Sequence, residues 1–325
     1  MVSLKILELL SDGKFHSGQE IGSQLSISRA AVWKQMQKLR SSGVDFSAVR
    51  GLGYRIESGI ELLSIEKITS CFSPVTQRIC PTIDLLRVVD STNTYARKKV
   101  EESPSNGTLI IAEYQSSGRG RRGKSWFSPL GGNIAFSLVW DFQRGTQVLD
   151  GLSLAVGVAV QRAFTELGCS GVQLKWPNDL LIKGKKIAGI LIEMMGDPLG
   201  DFTVIIGIGI NYKLPHGSSE IIDQPHTDVV SEWPQAVSRN VLCGSVVNQL
   251  INALLSFERQ GFSPFLKEWL QNDALIGQEC AINTATEIHF GRVLGVTKRG
   301  ALRLSSFDGG ENHFVGGELT LRSNA

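Results

Sequence analysis

Arg119, Arg121, Arg122 and Lys124 fall within residues 118–124, inside the run GRGRRGKSWFSP. Four cations so close together repel one another, and a polyanion relieves that repulsion. The stretch also satisfies G-x-x-x-x-G-K-[ST], the phosphate-cradling P-loop pattern. Three chemistries compete for it: an NTPase loop, a nucleic-acid patch, and a loop that orders around a nucleotide triphosphate. A P-loop joins a strand to a helix, because the helix N-terminus grips the phosphate. TLIIAEY supplies a strand, but WFSPLGG carries Pro129 and two glycines, and the NIAFSLVW that follows is β-like. A triphosphate-binding loop suits the composition best. It should stay mobile until a polyanion neutralises it. Trp126 then covers a base or simply packs.

These residues need a scaffold, and composition bounds it. The chain has 325 residues, 42% hydrophobic and 20% charged, enough for two or three soluble domains. No apolar run approaches the ~18 residues of a membrane span. MVSLKILELLSDGKF lacks a basic n-region and a cleavage site, so no signal peptide is expected. Cys71, Cys80, Cys169, Cys243 and Cys280 are scattered without C-x-x-C spacing, and the five histidines are dispersed. That pattern excludes a disulfide framework, implies no Cys/His metal site and fits a reducing cytoplasm.

Residues 1–60 hold eight Lys/Arg against five acids, a net +3, while the remainder carries −1. In this first segment Ser17 can cap a helix with Ile21 and Leu25 inward. Ser26-Ile27-Ser28 makes a tight turn, and Ser28 caps a second helix from Arg29. Ala30, Ala31, Met36 and Leu39 are expected on its inner face. Arg29, Trp33, Lys34, Gln37, Lys38 and Arg40 are expected around the outer one, and Gly43 stops the helix. VDFSAV and YRI flank Arg50 as a β-hairpin. Helix-turn-helix plus hairpin reads as a winged helix, with Ser28, Arg29, Trp33, Lys34, Lys38 and Arg50 as the DNA-contacting set.

Residues 61–82 read as a connection with one short helix and with Pro74 and Pro81 in its exit. Runs of strands interleaved with a few helices, many joined by hairpin turns, then indicate a mixed α/β sheet with packed helices. From residue 276 short strands separated by Gly, Asn and Asp turns read as a small β-barrel. The expected organisation is multi-domain α+β. It comprises a winged helix-turn-helix at 1–61, a central mixed α/β domain at 62–275, and an SH3-like barrel at 276–325.

Taken together, GRGRRGKSWFSP, DSTN (90–93), EYQ (113–115), KWPNDL (175–180), KIAGILIE (186–193) and GIGIN (207–211) resemble the biotin protein ligases. With the domain before and the barrel behind, the whole chain is similar to the bifunctional bacterial form, ligase and biotin operon repressor in one. The resemblance implies attack of the biotin carboxylate on the α-phosphate of ATP, with Mg²⁺ expected. Biotinyl-5′-AMP then passes its biotin to a lysine of the biotin carboxyl carrier protein. Clustered guanidinium and ammonium groups suit two anions forced together.

By the same resemblance Lys186, Arg121 and Asp179 are the catalytic candidates. Lys186 reaches the carboxylate and α-phosphate, and Asp179 steers the acceptor lysine. Ser91, Thr92, Asn93, Gln115, Arg119, Gly120, Arg122, Trp126, Gly207 and Asn211 complete the biotin and adenylate set, and Gly209 permits close backbone approach. Taken alone, Ser91 reads as a plain N-cap, Lys186 as a solvated hairpin lysine and Asp179 as a turn residue. Two departures stand out: Lys124 replaces a frequent Arg and loses its fork, and Ala135 stands where some relatives carry an aromatic. The family also implies operator DNA as a partner and an adenylate-promoted homodimer. A catalytically silent biotin sensor, a ligase without DNA binding and a lipoate ligase are the rivals.

Overall fold

Two serine caps shape the N-terminal unit. In this computed structural model, residues 2–57, 59–103, 106–142, 149–196, 202–233, 235, 237–284, 286–306 and 309–321 are described. Helices α1 (Val2–Leu10), α2 (Gly18–Leu25) and α3 (Arg29–Ser41) precede the hairpin β1 (Ser47–Val49) and β2 (Gly53–Arg55). Ser17 forms a capping box with Glu20 at the start of α2. The Ser28 hydroxyl accepts from the Ala31 amide at 3.2 Å and starts α3. Between them Ser26 takes a left-handed conformation, φ 54°.

On α3 the inner positions are Val32, Met36 and Leu39, which pack on Ile6, Leu7, Leu10 and Ile21. Ala30 is exposed and Ala31 only half-buried, which corrects the expected inner face. Spacing of four and three places Val32, Met36 and Leu39 on one stripe, and the larger side chain wins the buried position. Arg29, Trp33, Lys34 and Lys38 are exposed along α3, and Arg50 is exposed at the hairpin tip.

The connection holds two helices rather than one, α4 (Ile65–Thr69) and α5 (Pro74–Ile79). Pro74 opens α5 behind the Ser73 cap, where its missing N–H costs nothing.

The central unit contains β3 (Ile83–Leu86), α6 (Thr92–Glu102), β4 (Leu109–Ala112), β5 (Asn133–Phe142), α7 (Leu152–Glu166), β6 (Gln173–Lys175), β7 (Asp179–Ile182), β8 (Lys185–Gly196), β9 (Phe202–Asn211), α8 (Val229–Glu232), α9 (Arg239–Gln260) and α10 (Leu266–Asn272). Its strands form a seven-stranded sheet in the order β3-β4-β5-β9-β8-β7-β6. Among the described residues, β3 and β4 are the only two of these strands that pair in parallel.

The long β5–β9 ladder divides the sheet's two faces. Ile134, Phe136 and Leu138 join Ile206, Ile208 and Ile210 in the core shared with α7 and α9. The alternate positions Val139 and Ile205 meet Ala96 and Val100 of α6. Further along that second face lie Ser137 opposite Gly207 and Ala135 opposite Gly209. Among the described residues only α9 is long and apolar enough to cross a membrane. Its Leu242, Val246, Leu250 and Leu254 are instead buried in the core.

The C-terminal strands β10 (Glu279–Asn283), β11 (Ile288–Val296), β12 (Leu302–Ser305), β13 (Glu311–Phe314) and β14 (Glu318–Leu321) form an antiparallel sheet. Their order is β13-β12-β11-β10-β14. Among the described residues no pairing joins β13 to β14. Cys280, Ile282, Val293, Leu302 and Leu319 share one core with the central unit. Trp176 Nε1 donates to the Gly300 carbonyl at 3.1 Å and ties the two together.

Candidate active site

Small residues on β9 leave the second face of the sheet open. A Cβ on Gly207 would lie 2.2 Å from Asn93 Oδ1, and one on Gly209 would lie 2.5 Å from Trp126 Cε2. Both glycines therefore admit side chains from elsewhere. The result is a cavity of about 420 Å³, walled by the start of α6, the cationic loop, the β6–β7 turn, β8, β9 and the Gly317–Leu319 segment.

One end of this cavity is polar and uncharged. Ser91 is the N-cap of α6, yet its hydroxyl makes no cap bond and faces the cavity. Gln115 Oε1 accepts from the Thr92 amide at 2.8 Å. Ser137, fully buried, holds its hydroxyl 2.7 Å from Thr92 Oγ1 and 2.6 Å from Asn93 Oδ1. Asn93 Nδ2 donates to Glu193 Oε2 at 2.9 Å. A neutral head group rich in N–H and C=O fits such a lining.

A second part of the lining is cationic, and its charges have protein partners. Arg119 pairs with Glu193 at 2.9 Å, and Lys124 pairs with Glu318. Arg121 Nη1 donates to Asn178 Oδ1 at 3.1 Å, and Arg122 Nη1 to the Asn283 carbonyl at 3.4 Å. The loop holds a one-turn 3₁₀ segment, Arg121–Gly123. Internal carboxylates, an amide and a backbone carbonyl thus partner these cations. Burial and the neighbouring Arg122 both disfavour charge on Arg121 and lower its pKa. Lys124 draws the Glu318 carboxyl below its ordinary value.

Lys186 lines the same cavity. Its ammonium lies 2.7 Å from Asp179 Oδ1, both side chains being about 15% exposed, and 5.6 Å from the Trp126 ring centre. It is no solvated hairpin lysine. A register shift in the β7–β8 ladder explains its direction. The consecutive Ile187 and Ala188 both face the core, so Lys186 and Gly189 both face the cavity. Asn211 spends its amide on the Thr227 and Lys186 carbonyls at 3.0 and 3.4 Å.

Comparison with known proteins fits this geometry. The Biotin/lipoate A/B protein ligase family matches residues 85–211, and an HTH domain matches residues 2–55. The chain is 38% identical to the bifunctional ligase/repressor BirA of Salmonella typhimurium, over 99% of this chain and 98% of that protein. The chain belongs to the bifunctional biotin ligase/repressor family. The Escherichia coli BirA is 37% identical over the same shares. A biotin protein ligase from Aquifex aeolicus in complex with biotin and ATP is similar in structure, with TM-score 0.64 and 27% identity. It covers 74% of this chain, which spans 98% of that one.

For this ligase/repressor, the expected cavity residues Ser91, Thr92, Asn93, Gln115, Arg119, Gly120, Arg121, Arg122, Trp126, Asp179, Lys186, Gly207 and Asn211 all lie at one cavity. Ser28, Arg29, Trp33, Lys34, Lys38 and Arg50 lie apart, on the N-terminal unit. Ala135 is buried in the ladder opposite Gly209. Sequence reading assigned no role to Ser137, Asn178 or Glu193, although each stands inside or beside a quoted motif. It missed Ile221–Gln224, His226 and Glu318 altogether. Glu318 carried no signal beyond following two glycines.

Proposed function

We infer that this chain is an ATP-dependent biotin protein ligase and biotin operon repressor, with biotinyl-5′-AMP as both intermediate and corepressor. The observation that carries the ligase reading is the meeting of a neutral polar wall with Arg119, Arg121 and Lys186 in one cavity. The ureido ring of biotin lies against Ser91, Thr92 and Gln115. Its carboxylate attacks the α-phosphate of ATP, forming the acyl–phosphate bond as the bond to pyrophosphate breaks. Lys186 and Arg121 hold the charge that builds on the phosphoryl oxygens. Arg119 and Lys124 exchange Glu193 and Glu318 for substrate anions, so loop closure is a change of partners.

In the second step the ε-amine of a carrier lysine attacks the acyl carbon and AMP leaves. Asp179 directs that amine once Lys186 has turned to the phosphate. Mg²⁺ enters with ATP as part of the substrate. Among the described residues no group of three or more His, Cys, Asp or Glu is poised to hold a metal.

The remaining readings follow the same family. The biotin carboxyl carrier protein is the acceptor, and operator DNA is bound by Ser28, Arg29, Trp33, Lys34, Lys38 and Arg50 of an adenylate-promoted dimer in the cytoplasm. Divisions at 61/62 and 275/276 rest on the three separate sheets, the last unit being an SH3-like barrel. Labelled biotin, ATP and a carrier domain test the ligase: label should enter the carrier with pyrophosphate release, unchanged by excess lipoate. No incorporation would reduce the protein to a sensor. Binding to its own biotin-operon sequence should weaken steeply with salt, as phosphate contacts require.

A further inference from the structure

The first residue of α9, Arg239, is fully buried. A buried guanidinium is expensive unless its donors are met. Its Nε donates to the Asn133 carbonyl at 2.8 Å, and Nη2 donates to the same oxygen. Nη1 bonds Glu113 Oε2 at 2.7 Å and the Glu61 carbonyl at 3.1 Å. Glu113 is equally buried, and its other oxygen accepts from the Leu63 amide.

Neither Arg239, Glu113 nor Asn133 lines the cavity. Each of the groups Arg239 holds nevertheless leads into a wall. Glu113 stands two residues before Gln115. Asn133 opens β5, and its Nδ2 donates to the Phe127 carbonyl at 3.2 Å, beside Trp126. Asn133 also pairs with Asn211 across β5–β9, and Asn211 holds the Lys186 carbonyl. One planar fork thus sits behind Gln115, Trp126 and Lys186. Its two N–H groups on a single carbonyl oxygen fix the start of β5 in position and angle, which an ammonium cannot do.

We propose that Arg239 is a positioning residue for adenylate formation, acting through Asn133 on the Trp126–Phe127 end of the cationic loop. The inference rests on the ligase reading above. A misplacement of 1 Å far from the chemistry can slow a reaction by ~10²-fold.

Arg239→Lys keeps the charge and loses the fork. Asn133→Ala leaves the carbonyl that Arg239 grips and removes the bond to Phe127. Glu61→Gln alters the connection to the N-terminal unit without touching Asn133. Bound adenylate would be counted with labelled ATP, so that rates refer to active sites alone. Formation and dissociation would be followed together with KM for ATP and the melting temperature. Arg239→Lys and Asn133→Ala should each shorten the adenylate half-life, by roughly 10- to 100-fold for the first. The double variant should fall no further than Arg239→Lys alone, and Glu61→Gln should keep the wild-type adenylate half-life even though it melts lower.

A lowered melting temperature with wild-type kinetics per site would leave Arg239 a structural residue and overturn the proposal. So would effects of the two variants that simply multiply. If Arg239→Lys does not fold, an Asn133→Ala half-life equal to wild type overturns it alone. Wild-type protein run in parallel reports separately on the ligase reading.

Discussion

Lys186 Nζ lies 2.7 Å from Asp179 Oδ1, so the lysine that lines the cavity is held by a carboxylate one strand away. In the mechanism proposed above, Asp179 has two successive partners, first Lys186 and then the acceptor amine. Asp179→Asn keeps the shape and removes the charge. Adenylate formation should persist, while transfer to the carrier slows by roughly 10²-fold, the scale of a lost proton acceptor. Rapid-quench measurement of the two half-reactions separates them. Equal slowing of both would place Asp179 in the first step.

Arg121 is half-buried, and its Nη1 donates to the Asn178 amide oxygen at 3.1 Å. An anion in the cavity would relieve both burial and the repulsion from Arg122 that lower its pKa. Arg121→Ala should slow adenylate formation by about 10²–10³-fold, as loss of a charge-stabilising donor does, and speed leakage of the adenylate. Filter retention of labelled adenylate checks it. A variant that keeps the adenylate as long as wild type removes Arg121 from the site.

Gly209 is a steric requirement rather than a flexible point, since a Cβ there meets Trp126 Cε2 at 2.5 Å. Gly209→Ala must displace the indole or the strand, at a cost of about 1–3 kcal/mol by the usual scale of overpacking. Trp126 emission should shift and ATP affinity should fall. Calorimetry showing unchanged binding would mean that the indole position is irrelevant to the nucleotide.

How much of this was legible in the sequence depended on whether the signal was local. Ser17 and Ser28 announce their caps through nearest neighbours, and both caps are where the sequence places them. The inner face of α3 was misjudged at Ala30 and Ala31, because alanine tolerates either side and Val32 is the residue that fills volume. The partners of the cationic loop were illegible for a different reason. Glu193 and Glu318 lie 74 and 194 residues from the cations they meet, and only the folded chain brings them there. Composition alone therefore suggested a loose flap where the structure has paired charges.

Glu61 provides a pH signature at the junction between the first two units. Burial alone would raise its pKa, but bonds from Ser238, Asn240 and the Arg239 amide bring it below the ordinary 4.5. A depressed carboxyl contributes stability that is complete above its unfolded value and is lost as pH falls through the folded one. Melting temperature should therefore drop as pH is lowered from about 6 to about 3, and Glu61→Gln should flatten part of that dependence while melting lower at neutral pH. Superimposable pH profiles would deny Glu61 this role.

The most direct test is a crystal structure of the protein with biotinyl-5′-AMP. Arg119 should have left Glu193, and Lys124 should have left Glu318, each cation now within ~3 Å of an adenylate or carboxyl oxygen. Lys186 should have turned from Asp179 toward the phosphate. An adenylate bound elsewhere, with Arg119–Glu193 and Lys124–Glu318 still paired, would contradict the account at its centre.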